Sequence, residues 1–253
     1  MTRRATVLAL ALLAVTVGVV TAARVRGQDG RQDTMGTADG MATGSATRLG
    51  PHDGEMVTGY LTRSRAALAG SSARSGYALV ALDRYLTPAQ VPTVTGAVTM
   101  VRVLVRVPLP RVQTEIVEMP ARTPADIEGG MSAAAARLDT GAEDADSVSA
   151  AVDRAQAGQL RHRCACVLAI VVRADHGALA ALADRPGIRT VEPAPPGEPL
   201  VRLAFAPLLP EQRVRVEPPP DDGAVALAHL SPRVPPDPPS ESRSESPEPG
   251  GRR

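Results

Sequence analysis

His162, Cys164 and Cys166 are the residues whose types and spacing come closest to chemistry. On a strand, positions i, i+2 and i+4 share a face, so His162-x-Cys164-x-Cys166 would align one imidazole and two thiols. That set suits a soft metal such as Cu(I) or Zn(II), with His176 a short distance on. Neighbouring ligands would lie about 6–7 Å apart along the strand, and a fourth would have to come from elsewhere. The plainer reading is a pair of buried cysteines, because unligated Cys is usually a core residue. A disulfide between i and i+2 requires the strand to bend there, and a bond to another chain stays open. No metal and no cofactor is therefore assigned.

Glu143, Asp144 and Asp146 form an acidic cluster. It lacks the glycine and the distal glutamate of a calcium loop, and reads as a helix start. The chain has no G-x-S-x-G, P-loop, H-E-x-x-H or dinucleotide fingerprint. His52, His162, His176 and His229 are dispersed. The expectation is a protein that is not an enzyme.

Composition excludes other classes. Lys+Arg number 28 and Asp+Glu 27, a net charge of +1, so no strong field draws nucleic acid. The aromatic residues are Tyr60, Tyr77, Tyr85 and Phe205, too few for a base-stacking platform. Every basic residue is Arg, and Asn is absent. That is the coding bias of a GC-rich genome, so choosing Arg over Lys carries no information about ligands. No small-molecule ligand is inferred.

The elements that would position such groups divide the chain into four parts. Residues 1–26 hold Arg3 and Arg4, then a 19-residue uncharged run from Ala5 to Ala23, then Arg24 and Arg26. As a helix the run spans about 28 Å, close to the roughly 30 Å of a bilayer core. It reads as a signal-anchor, with a cleaved signal peptide as the alternative, since small residues near Ala22 and Ala23 suit cleavage. The expectation is a single-pass protein of the cell membrane, held through residues 5–23, with residues 27–253 extracellular. Its partner is then an unidentified protein at the cell envelope.

Residues 27–75 are rich in Gly, Ser, Thr and Asp without a sustained period, and read as a flexible stalk. Residues 217–253 contain ten prolines and read as a disordered tail. An apolar island, Ala224–Leu230, interrupts that tail.

Between them, residues 76–216 read as one α+β domain. Tyr77–Leu82 is an apolar strand, and Thr87-Pro88-Ala89-Gln90 has the form of a capped helix start. Val98–Val107 alternates Val with Arg and Leu as a half-buried strand does. Arg111–Met119 can make another. Thr123-Pro124 repeats the cap, and Ile127, Met131, Ala134 and Leu138 recur at helical spacing. Asp144 or Asp146 caps a second helix, with Val148, Val152 and Ala155 on one face. Cys164–Arg173 is the strongest strand. Asp175 caps a helix over Gly177–Ala183, Ile188–Val191 is a short strand, and Leu200–Phe205 with Arg213–Val216 suggests an edge hairpin. Strand, cap, short helix, strand thus occurs twice, over Tyr77–Val107 and Val167–Val191. Two such βαβ units predict a ferredoxin-like α+β sandwich with a helical insertion between its halves.

The stretch from Gly177 to Pro193, Gly-Ala-Leu-Ala-Ala-Leu-Ala-Asp-Arg-Pro-Gly-Ile-Arg-Thr-Val-Glu-Pro, resembles the end of the propeptide-like inhibitor family of subtilisin-type proteases. That family closes its second βαβ half with a short helix, a Pro/Gly turn and a strand ending near Val-Glu-Pro. The resemblance implies the same ferredoxin-like sandwich, and an inhibitor or folding chaperone as the alternative to a general binding module. It covers about a tenth of the chain, and an insertion over about 120–160 separates the halves.

Overall fold

The computed structural model of the chain describes residues 46–72 and 75–223. The expectations for Ala5–Ala23, for the first part of the stalk and for the tail from Ala224 lie outside those residues.

The described residues form a mixed α/β fold around a five-stranded sheet. The strands are β2 (Gly76–Leu86), β3 (Thr99–Val105), β4 (Val117–Pro120), β5 (Val167–Ala174) and β6 (Ile188–Pro193), in the order β4-β3-β5-β2-β6. Every neighbouring pair is antiparallel. β5 is central because Val167-Leu-Ala-Ile-Val-Val172 has no polar residue to show to water, and all six are fully buried. A sheet strand covered on both faces needs such a run. β5 is shorter than the expected Cys164–Arg173. The residues before Val167 instead finish a helix: Arg163 sits at φ 53 and the Cys164 amide donates to Gln159 O.

Helices cover one face. Short α2 (Val91–Thr95), the α3–α4 hairpin (Pro124–Asp144, Ser147–Arg161) and α5 (His176–Ala183) supply them. Ala78, Val80, Val103, Ile170 and Val172 of the sheet meet Ile127, Met131, Leu160, Leu179 and Leu182 of the helices. Thr123 caps α3, accepting from Asp126 N at 3.2 Å, while the Asp126 carboxylate returns to the Thr123 amide at 2.9 Å. Asp146 caps α4 through the Val148 and Ser149 amides, so within the acidic cluster Asp146 is the helix-start residue. Thr123→Ala should cost about 1 kcal/mol in denaturant unfolding. No change would mean that the insertion is uncoupled from the rest of the fold.

One expected face is wrong. Val148 is 70% exposed, and α4 instead buries Ala150, Ala151, Gln156, Ala157 and Leu160. Alanines make the narrow contact with α3, so the valines do not mark the buried side.

The other sheet face corrects the domain boundary. Residues 27–75 are not a stalk throughout: β1 (Thr47–Leu49) and α1 (Val57–Ala69) lie within them. Val57, Tyr60, Ser64 and Leu68 of α1 are buried, a helical stripe with a tyrosine and a serine at two of its four positions. That mixture hides the period from a hydropathy reading. β1 pairs in parallel with β7 (Leu203–Phe205). Leu49, Leu203 and Leu209 cover Leu79, Leu104, Leu168 and Val171. Tyr60, Val57, Leu208 and Val216 close over Ala81. The expected hairpin of Leu200–Phe205 with Arg213–Val216 does not form. Both stretches pair with the N-terminal segment instead, Val57 N donating to Val214 O at 2.9 Å and Val216 N to Glu55 O at 2.9 Å.

The tail boundary also moves. Gln113 N donates to Asp221 Oδ1 at 2.9 Å and Gly223 N to Arg111 O at 2.7 Å, so the fold runs seven residues past Val216. Among the described residues no helix is long and apolar enough to cross a membrane.

Candidate functional site

Cys164 and Cys166 are joined as a disulfide, with Cα atoms 5.3 Å apart. This corrects the expected regular strand from Cys164, on which such a bond is disfavoured: Arg163 in the left-handed region follows α4, and regular β5 starts only after Cys166. The bond therefore ties the end of the α3–α4 insertion to the central strand. It also removes both thiolates from any metal set. His162 is the residue ending α4, and His176 opens α5 beyond the far end of β5. An eight-residue strand, about 26 Å long, separates them. His52 lies in the loop before α1, where its amide donates to Glu55 Oε2 at 2.8 Å. His229 is outside the described residues. Among the described residues no three His, Cys, Asp or Glu side chains are grouped to hold a metal ion.

Two buried charged groups were not legible in the sequence. Glu192 is 6% exposed. Its Oε2 accepts from Gly50 N at 2.7 Å and from the Tyr60 hydroxyl at 3.0 Å, and its Oε1 from Arg63 Nη1 at 3.1 Å. Burial pushes the Glu192 carboxyl above its ordinary value, and these donors only partly oppose it. Burial first, then the charge of Glu192, pushes the Tyr60 phenol far above the tyrosine range. With its oxygens committed to three donors, Glu192 acts as a clasp between β6 and the N-terminal segment. Arg106, 3% exposed, forms a similar clasp. Its Nη1 donates to Tyr85 Oη at 2.7 Å and Glu211 Oε1 at 2.5 Å, while the Tyr85 hydroxyl donates to Glu211 Oε2 at 3.0 Å. Burial is the main cause that pushes the Tyr85 phenol up to about 12.

The raised carboxyl makes a pH prediction. A carboxyl whose folded pKa exceeds its unfolded value binds its proton more tightly when folded. Its contribution to stability is full below the unfolded pKa and is lost as pH rises through the folded pKa. Glu192→Gln cannot titrate. The stability of wild type relative to this variant should therefore fall as pH rises above about 4.3, the ordinary glutamate value. Urea midpoints of the two proteins across that range check it. A gap that widens in favour of wild type would reverse the sign.

The open concave surface lies at one end of the sheet. Arg173 lies next to the end of β5, Tyr77 next to the start of β2, and Thr99 opens β3. Antiparallel register sets Tyr77 beside Arg173 and Arg173 beside Thr99, so three strand ends make one row. Tyr77 and Val101 pack with the core of the face opposite the helices. The Arg173 guanidinium lies over the Tyr77 ring, 5.9 Å from its centroid. This row floors a cleft of about 870 Å³, walled by Pro120–Arg122, by Ala125 and Gly129 of α3, and by Leu200. A second cleft of about 380 Å³ shares Arg173 and Thr99 and runs on toward Ala178 and Arg185.

Acids stand near the arginines but are already engaged. Asp126 accepts from the Arg122 and Thr123 amides, both at 2.9 Å, and these bonds hold its carboxyl below the usual range. Asp175 caps α5 through Ala178 N at 2.8 Å. Arg102, on the same strand as Thr99, is paired with Glu118. The row Tyr77–Arg173–Thr99 was missed because its members are far apart in sequence, and only the strand order joins them. What it offers chemically is a half-apolar trough with cationic groups along it. Compared with known proteins, the chain matches no family model, no curated protein and no solved structure.

Proposed function

We propose that the chain is an exported, membrane-tethered protein that serves as a non-enzymatic binding or assembly module for a protein partner at the cell envelope. The observation that carries this reading is the Cys164–Cys166 disulfide, which uses both cysteines of the chain. Such bonds persist in oxidising compartments and are rare in a reducing cytosol. The uncharged run Ala5–Ala23 then provides the route of export and the tether. The clefts around Arg173 provide the surface for the partner.

The strand order supports a ferredoxin-like sandwich as the finer description of the fold. With β2, β3, β5 and β6 taken as the four strands of two βαβ halves, the order across the sheet is fourth-first-third-second. The α3–α4 hairpin and edge strand β4 are then the insertion. The same order favours a second reading, a propeptide-type inhibitor or folding chaperone, because the half that carries the resemblance ends in β6 beside β2. Inhibition of a subtilisin-type protease by the purified chain, at stoichiometric ratio, would move the assignment to that class.

Fractionation of expressing cells tests the main reading. The full-length chain should stay with membranes after alkaline extraction, and Cys164 and Cys166 should react with a maleimide only after reduction. A processed chain free in the medium would replace the tether by a cleaved signal. A full-length chain in the cytosol with free thiols would overturn export altogether.

A further inference from the structure

We infer that the trough floored by Tyr77, Arg173 and Thr99 binds an acidic, extended peptide segment of the partner, with its carboxylates on Arg122 and Arg173. This deepens the binding-module reading and rests on it. Four features of the trough carry it.

First, among the described residues neither Arg122 nor Arg173 forms an ion pair, although the Arg122 charge acts on Asp126. The carboxylates around them, Asp126 and Asp175, are turned into the caps of α3 and α5, and Glu118 is taken by Arg102. The GC-rich coding bias explains why these residues are Arg and not Lys. It does not explain why two of them flank the roughly 870 Å³ cleft with no ion pair among the described residues. Second, Arg173 is pre-positioned. Its guanidinium lies over the Tyr77 ring, 5.9 Å from the centroid, a cation–π contact that still allows its N–H groups to meet a carboxylate. Less rotamer freedom is then lost on binding.

Third, apart from Asp126, the remaining lining is largely apolar or open. Val101, Ala125 and Leu200 line the trough, and a methyl group added at Gly129 would meet nothing within 4 Å. That leaves room for an apolar side chain beside the charged one. Fourth, the two clefts join through Arg173 and Thr99. Together their lining runs across the adjacent ends of β2, β5 and β3 and on to α5, a spread that suits a chain segment better than a compact small molecule. The Asp126 carboxylate, held below the usual range by its backbone donors, lines the trough and so repels ligand carboxylates that are not placed on Arg122 and Arg173.

The test uses the full chain in detergent micelles and a fluorescein-labelled peptide of alternating Glu and Leu, read by fluorescence anisotropy. The same peptide with Gln at every Glu is the comparison. The Glu peptide should bind at least about tenfold more tightly than the Gln peptide, and added salt should weaken it because the pairs are partly exposed. The double variant Arg122→Ala/Arg173→Ala should lose at least about tenfold in affinity. Both residues are exposed, so the variant should keep the wild-type circular dichroism spectrum. Arg65→Ala, on the outer side of α1, should bind as wild type does.

Failure of the Glu peptide to bind overturns the inference. So does a double variant that binds as wild type. Equal binding of both peptides, abolished by Thr99→Trp, would overturn the acidic assignment while leaving the binding-module reading in place. Arginine-dependent binding of inorganic polyphosphate, with none of the Glu peptide, would overturn the peptide in favour of an anionic polymer.

Discussion

Tyr60→Ala is expected to cost about 3–5 kcal/mol of folding stability, the usual loss for truncating a buried aromatic ring. Tyr60 is fully buried and packs with Val57, Leu208 and Val216 over Ala81 of β2. Its hydroxyl is one of three donors that compensate the buried Glu192 carboxyl. The substitution therefore opens a cavity and also leaves a buried acceptor short of a partner. Tyr60→Phe separates the two effects. It keeps the ring and should cost about 1–3 kcal/mol, the penalty for an unsatisfied buried group. Equilibrium unfolding in urea measures both. If residues 27–75 were a stalk, as their composition suggests, Tyr60→Ala would leave the midpoint unchanged.

Gly50→Ala should be damaging for a different reason. Gly50 has φ 122, a backbone region that side-chain-bearing residues rarely adopt. A methyl group there would overlap the Ala206 carbonyl oxygen. The backbone conformation alone should cost about 1–3 kcal/mol, and the overlap adds to it. Gly50 follows β1, beside the Ala206 N to Leu49 O bond of 2.8 Å that continues the β1–β7 pairing. The loss should therefore be local first. Amide exchange should rise at Leu203–Ala206 while β5 stays protected. A variant with wild-type exchange at those amides would mean that the close approach of Gly50 to Ala206 is absent.

What the sequence shows well is whatever depends on one segment alone. Thr123-Pro124 with Asp126 carries its helix start in four residues, because the cap satisfies amides within the same turn. Cys164–Arg173 reads as the strongest strand, because its run Val167–Val172, six residues without a polar side chain, has nowhere to go but a covered sheet. The two strand-helix-strand units are legible for the same reason. The α1 stripe is not, because its buried positions include Tyr60 and Ser64, and the Tyr60 hydroxyl finds its partner in Glu192, more than a hundred residues away. The Cys164–Cys166 bond turns on a single backbone feature, the left-handed Arg163, which hydropathy cannot register. Arg173 looks in sequence like the polar end of a strand. Only the pairing of β5 with β2 and β3 sets it between Tyr77 and Thr99.

Site-specific photocrosslinking tests the binding role most directly. A photoreactive amino acid would replace Thr99, on the floor of the trough, in the full chain expressed in its native cells. A second chain would carry it in place of Arg65 as the control. The expected result is an adduct with an envelope protein from position 99 only, with the crosslinked segment of that partner rich in Asp and Glu by mass spectrometry. The adduct should disappear when Arg122→Ala and Arg173→Ala are added. Equal adducts from both positions, or none from position 99 in cells where the chain is at the membrane, would contradict a binding role for this surface.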